Sequence, residues 1–141
     1  MVGRIYIPLE CVRFINHLSG DVPVLRVKLV NLLGEEFGLI DILVDTGFAG
    51  SVMLERDDYE FFSIGELPRD FWRSYRTLAG PLLVRTARAF IDIGGKRIET
   101  YVEAPYFGLG KRVMGREVLR KIALTLDGLN GETCIVSARE E

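Results

Sequence analysis

The sequence predicts an all-β domain carrying one or two short helices. Short runs rich in Val, Ile, Leu and Phe recur along the chain, and several alternate apolar with polar side chains, as half-buried strands do. Glycine-rich turn signals punctuate them at Gly20-Asp21, Gly34-Glu35, Gly94-Gly95 and Gly128 to Gly131. An apolar face at helical spacing appears only over a short stretch, where Val118, Leu119 and Ile122 follow Gly115. With 141 residues the chain is one domain, residues 1–141, large enough for a real core and short for two.

In order, Arg4 to Phe14 alternates loosely, and Pro8 within it marks an edge strand. Ser19-Gly20-Asp21 is a turn. Val22 to Leu32 sets Val24, Arg26, Lys28 and Val30 on one face and Leu25, Val27 and Leu29 on the other. Gly34-Glu35-Glu36 turns the chain, and Phe37 to Val44 returns, with Gly38 marking a bulge. Leu54 to Phe62 is acidic and aromatic and reads as a short helix or an irregular loop. Pro68 stands where a helix can start. The aromatics Phe71, Trp72 and Tyr75 that follow read as a satellite core. Tyr75 to Leu78 and Leu82 to Val84 form a hairpin around Ala79-Gly80-Pro81. Arg85 to Ile93 and Arg97 to Val102 form another around Gly94-Gly95. After a loop at Pro105 to Gly110 come the apolar pair Val113-Met114, a helix over Arg116 to Ile122, and strands at Ala123 to Leu126 and Glu132 to Val136. Ala138 to Glu141 is expected to fray.

Composition narrows the function classes. Apolar residues make up 48% and charged residues 27%, with a net charge of −2, so nothing favours nucleic acid or an anionic membrane. No apolar run is long enough to span a bilayer, and Glu10 and Arg13 interrupt the N-terminal apolar residues, so a cytoplasmic location is the default expectation. In a reducing cytosol Cys11 and Cys134 read as two small buried hydrophobes rather than a disulfide. His17 is the only histidine, and Gly-x-Ser-x-Gly is absent, which leaves no metal site or serine triad in view. Lys111, Arg112, Arg116, Arg120 and Lys121 read as a solvated basic face. No cofactor or metal is implied.

One stretch carries chemistry. Ile42-Leu43-Val44 reads as a buried strand that delivers Asp45 into a turn bounded by Gly47 and Gly50. A carboxylate there is costly unless it is paired or hydrogen-bonded, and Thr46 adds a hydroxyl beside it. Asp45 as an ordinary turn former is the competing reading.

Leu43-Val44-Asp45-Thr46-Gly47, a hairpin, and then Val113-Met114-Gly115-Arg116-Glu117-Val118-Leu119 together resemble the retroviral-type aspartic proteases, the retropepsins. The likeness runs in order over residues 22–136, and Thr125-Leu126-Asp127 also has a counterpart. Phe48-Ala49-Gly50 is more similar to the archaeal and bacterial retropepsin-like proteins than to the viral enzymes. The resemblance implies a single-lobe, acid-protease-like closed barrel without a cofactor. It implies a homodimer that places one Asp45 from each chain at a two-fold axis, where the pair activates water to hydrolyse an extended peptide. Asp45, Thr46 and Gly47 are then the catalytic residues, Thr46 bracing the two turns. Phe48, Ala49 and the hairpin residues Thr77, Leu78, Ala79 and Gly80 contact substrate, the hairpin acting as a flap. The terminal strands, Glu132 to Val136 and Arg4 to Phe14, are candidates for the dimer sheet. Ala49 stands where the viral enzymes have an acidic residue that pairs with the arginine of the second motif. Arg116 is therefore expected either to lie on the helix surface or to find Asp41 or Asp127. An inactive module of the same fold that binds a peptide or protein partner is the alternative function.

Overall fold

A computed structural model of the chain describes residues 3–18 and 20–140. The strands are β1 (Arg4–Arg13), β2 (Ile15–His17), β3 (Gly20–Val22), β4 (Val24–Val30), β5 (Glu36–Val44) and β6 (Val52–Met53), then β7 (Arg73–Thr77), β8 (Gly80–Ile93), β9 (Lys96–Pro105), β10 (Val113–Met114), β11 (Leu124–Asp127) and β12 (Glu132–Glu140). Two single-turn helices, α1 (Arg56–Tyr59) and α2 (Arg116–Leu119), and short 3-10 turns at Glu60–Gly65 and Arg69–Phe71 complete the chain.

The main sheet runs β4-β5-β10-β6-β9-β8-β7, and β4 also pairs with β8. That extra pairing, Lys28↔Asp92 to Val30↔Phe90, closes the first six strands into a barrel and leaves β7 outside the ring on β8. The closed barrel expected from the sequence is therefore present. Alternation explains its interior. In β4, Leu25, Val27 and Leu29 are buried while Arg26 points to solvent, and they pack with Ile42, Ile91, Val102 and Met114. Tyr59 and Phe62 cap this core from α1 and the following 3-10 turn. Such a side chain, fully buried, contributes on the order of 1.5–3 kcal/mol.

Local signals carry over. Gly38, at φ +108°, sits where the β4–β5 register slips between Leu29 and Val30, so the expected bulge is there. Gly94 and Gly95, both at positive φ, make the two-residue turn between β8 and β9, a conformation that favours glycine. Pro8 lies on β1, at the edge of a second sheet ordered β1-β12-β11. Among the described residues no helix is long and apolar enough to cross a membrane.

Several expectations need correction. The first hairpin turns at Leu78-Ala79, with Thr77 opposite Gly80, rather than around Ala79-Gly80-Pro81. Pro68 precedes only a 3-10 turn. The helix after Gly115 stops at Leu119, short of Ile122. β12 runs on to Glu140 instead of fraying from Ala138, because β1 pairs with it as far as Arg4↔Glu140. Ser19 and Glu141, placed by sequence in a turn and in the frayed end, lie outside the described residues. Cys11 and Cys134 are not two buried hydrophobes: they stand opposite one another in the β1–β12 ladder, with Cα atoms 4.1 Å apart, and form a disulfide. Spacing along the chain could not show this, since 123 positions separate them and only the pairing of the two ends brings them together.

Candidate active site

The centre of the site is an interlock between two segments far apart in sequence. β10 is inserted between β5 and β6, parallel to the first and antiparallel to the second. The Leu43 N–H donates to the Arg112 carbonyl at 3.1 Å, and the Asp45 N–H donates to the Met114 carbonyl at 3.0 Å. In the other direction the Gly115, Arg116 and Glu117 N–H groups donate to the carbonyls of Ser51, Phe48 and Gly50 at 2.7, 2.9 and 3.1 Å. These bonds fix where β5 releases the chain into the turn. A side chain on Gly115 would run into the Gly50 carbonyl and the Phe48 ring, so the approach requires glycine.

Asp45 projects from the end of β5, partly exposed. Its Oδ1 accepts the Gly47 N–H at 2.9 Å. Thr46 and Gly47 are exposed, and Phe48 tucks beneath the turn against the Tyr75 ring, 5.2 Å between centroids and edge-on. Gly47, Phe48 and Ala49 share an open cleft of about 210 Å³ with Met53, Thr77 and Leu82. The hairpin tip is held by the Thr77 hydroxyl, which donates to the Gly80 carbonyl at 2.6 Å and accepts the Ala79 N–H at 3.2 Å. Leu78 at that tip is fully exposed. The cleft thus gathers Gly47, Phe48, Ala49 and Thr77, while Leu78, Ala79 and Gly80 stand beyond its lining. A second groove of about 380 Å³ is lined by Thr46 together with Tyr6, Val44, Ile122, Leu124 and Leu126.

Behind the turn lies a polar cluster. Glu103 on β9 has no exposed surface, accepts the Ser51 N–H at 2.9 Å through Oε1, and accepts the Tyr75 hydroxyl through Oε2. Glu117 accepts the Ser51 hydroxyl at 2.8 Å and pairs with Arg73, whose guanidinium also lies 3.7 Å from Glu103 and 4.5 Å from the Tyr101 ring centroid. Burial pushes the Glu103 carboxyl above the usual carboxylate range, against its hydrogen bonds from Tyr75 and Ser51 and the charge of Arg73. Burial acts the same way on Glu117, but bonds from Arg73 and Ser51 outweigh it and hold that carboxyl below the usual range. Burial and the Glu103 carboxylate raise the Tyr75 phenol, which stays a donor.

No known family model matches the sequence, and no curated protein matches it by sequence. In three dimensions the chain is similar to a retropepsin-like aspartic protease from Rickettsia conorii, with a TM-score of 0.54 and 16% identity, covering 98% of this chain and 94% of that one. The fold is retropepsin-like. EIAV protease complexed with the inhibitor HBY-793 is also similar, with a TM-score of 0.49 and 16% identity, covering 76% and 93% of the two chains.

Within this retropepsin-like fold, Arg116 lies exposed on α2, as one expectation had it, and is not the partner of Asp41 or Asp127. Its Nη1 donates to the Thr46 carbonyl at 2.9 Å, so it braces the Asp45 turn through the backbone. Asp41 is taken by Arg26, and Asp127 by Asn130. The basic stretch is partly neutralised: Arg112 pairs with Asp58 at 2.9 Å. The satellite core expected of Phe71, Trp72 and Tyr75 does not form as one cluster: Trp72 packs on Tyr106 and donates to the Leu67 carbonyl, Tyr75 packs on Phe48 at the cleft, and Phe71 is exposed. Sequence reasoning missed Glu103, Arg73, Ser51 and Glu117. One signal was present: Glu103 is a lone carboxylate in the strand segment Tyr101-Val102-Glu103-Ala104-Pro105, where an unpartnered charge is costly.

Proposed function

We propose that the protein is an aspartic endopeptidase of the archaeal and bacterial retropepsin-like type, acting as a homodimer on extended peptides. The observation that carries this reading is the placement of Asp45: a partly exposed carboxylate at the end of β5, held in a glycine turn that is locked by the Val113–Glu117 segment. One chain supplies one such carboxylate, so two copies are required. In the dimer the two Asp45 side chains share a proton, because two close carboxyls do not both ionise readily. The ionised one takes a proton from water as the water attacks the scissile carbonyl. The protonated one donates to the carbonyl oxygen and afterwards supplies a proton to the leaving amine. A shared proton favours an acidic working range.

The fold supports the remaining roles. The β7–β8 hairpin lines the cleft beside Gly47 with Tyr75, Arg76, Thr77 and Leu82, which suits a flap that closes on a peptide. The cleft lining of Phe48, Met53 and Leu82 fits apolar side chains of a bound strand. The groove lined by Thr46, Leu124 and Leu126 is the surface this reading assigns to a second copy. The terminal strands suggested for a dimer sheet pair with each other within one chain, so they would meet the partner as a finished sheet.

The test is cleavage of an unfolded protein or a peptide library from acidic to neutral pH by wild type and Asp45→Asn, with molecular mass measured for both. The expected outcome is cleavage by the wild-type dimer and a loss of at least about 1,000-fold in Asp45→Asn at unchanged mass. A folded wild-type dimer that cleaves nothing would leave the peptide-binding module, which the alanine at position 49 favours.

A further inference from the structure

We infer that Glu103 is a positioning residue that ties the flap hairpin and the Asp45 turn into one mechanical unit. The inference rests on the protease reading for its consequence, but the coupling itself is a property of the fold. β7 is the outermost strand of its sheet and pairs only with β8, so no backbone ladder joins it to the turn. Side chains make the connection instead. Glu103 uses one carboxylate oxygen for the Ser51 N–H at the turn's exit and the other for the Tyr75 hydroxyl of β7. Arg73, two residues before Tyr75 and so on the same face of the strand, makes a second tie to Ser51 through Glu117. The Tyr75 ring on the Phe48 ring is a third.

The geometry excludes a casual arrangement. Glu103 is wholly buried, and its two oxygens are committed to two different elements, so displacing either element leaves a buried polar group unmatched. Gly50, between Phe48 and Ser51, has no room for a side chain because Tyr75, Glu103 and Phe48 all close on it. The base of the hairpin is therefore rigidly referred to the turn, while the tip at Leu78-Ala79 is exposed and held only from within the hairpin, by Thr77. A peptide that draws the hairpin down would fix the turn, and with it the Asp45 carboxylate, in the same movement.

Hydrogen–deuterium exchange on the purified full-length protein reads the coupling without any substrate. In Glu103→Leu, which fills the volume but accepts no hydrogen bond, amides of residues 73–77 and 48–51 are expected to exchange about 10-fold faster together, while β1 and β12 stay unchanged. Glu103→Gln is expected to restore slow exchange, since its amide oxygen can accept the Ser51 N–H and its amino group can donate to Tyr75. Tyr75→Phe, which keeps the ring on Phe48, is expected to speed both segments by about 3-fold, and it decides the matter should Glu103→Leu not fold. Exchange at 48–51 that stays at the wild-type rate in a folded Glu103→Leu or in Tyr75→Phe overturns the inference. So does a Gln variant that behaves like Leu. Where wild type cleaves peptide, Tyr75→Phe is expected to lower kcat about 10-fold with KM within about 3-fold, and a change confined to KM overturns the positioning role. A wild type without cleavage removes the protease reading alone, because the exchange data still decide the coupling.

Discussion

Glu103 and Glu117 share Arg73 and Ser51, yet their environments push them in opposite directions, and the pH dependence of stability should show it. Burial raises the Glu103 carboxyl, so the native state keeps its proton where the unfolded chain, near 4.5, has lost it. Its contribution is fully present below that value and is lost as pH rises through the higher native value. Glu117 is lowered, so its contribution is present above about 4.5 and is lost as pH falls through the native value. Glu103→Gln removes only the first effect. Its melting temperature relative to wild type should therefore rise as pH increases from about 4.5 through the higher native value. Glu117→Gln should move the other way and in a lower window, falling further below wild type as pH rises towards about 4.5 and staying level above it. Thermal melts at half-unit steps check both, and a Glu103→Gln difference that is flat with pH would contradict the burial-driven shift. At this scale the Asp45 turn was legible in sequence, as an apolar strand run that ends at a carboxylate between glycines. Arg116 and Glu103 were not: a long side chain reaching a carbonyl 70 positions away, or a carboxylate meeting a turn from across the barrel, leaves no local period.

Elements were legible wherever a local rule governs them. The Gly94-Gly95 turn, the Gly38 bulge and the alternation of β4 follow from backbone freedom and period-two burial, and each stands where those signals put it. The pairing of β1 with β12 depends on the two ends meeting in space, which no window of sequence contains. The disulfide follows from that pairing and has its own consequence. β1 is almost wholly exposed and is held by one ladder, so the cross-link adds stability chiefly by closing a long loop in the unfolded chain. Reduction should cost about 2–4 kcal/mol and release β1. A thermal melt with and without a phosphine reductant, together with amide exchange over residues 4–13, measures this. An unchanged melt in a sample shown to be reduced would mean that the ladder alone holds the strand. Such a bond is uncommon in the cytosol of mesophiles, which sets it against the cytoplasmic location expected from composition.

The molecule as a whole is a closed barrel with one interlocked turn on its surface and an apolar groove beside that turn. Among the described residues Asp45 makes no ion pair, and its carboxylate accepts only the Gly47 N–H of its own turn. Asp41, four residues earlier, is engaged by Arg26 and cannot serve as the second acid. On the protease reading, activity is therefore a property of pairs, and mixing reveals it. When wild type is combined with an equal amount of Asp45→Asn and left to exchange subunits, random pairing makes about one quarter of the dimers wild type on both sides. If one carboxylate per dimer is insufficient, cleavage should fall to about one quarter of that of the same total protein in wild-type form, against about one half for independent active chains. Dilution adds a second axis: specific activity should drop once total protein falls below the dimer dissociation constant, and the mass distribution should shift in step. A mixture that retains one half of the activity at every dilution would place the chemistry within a single chain. The lone Asp45 turn would then have to act without its twin, which the shared-proton mechanism does not allow.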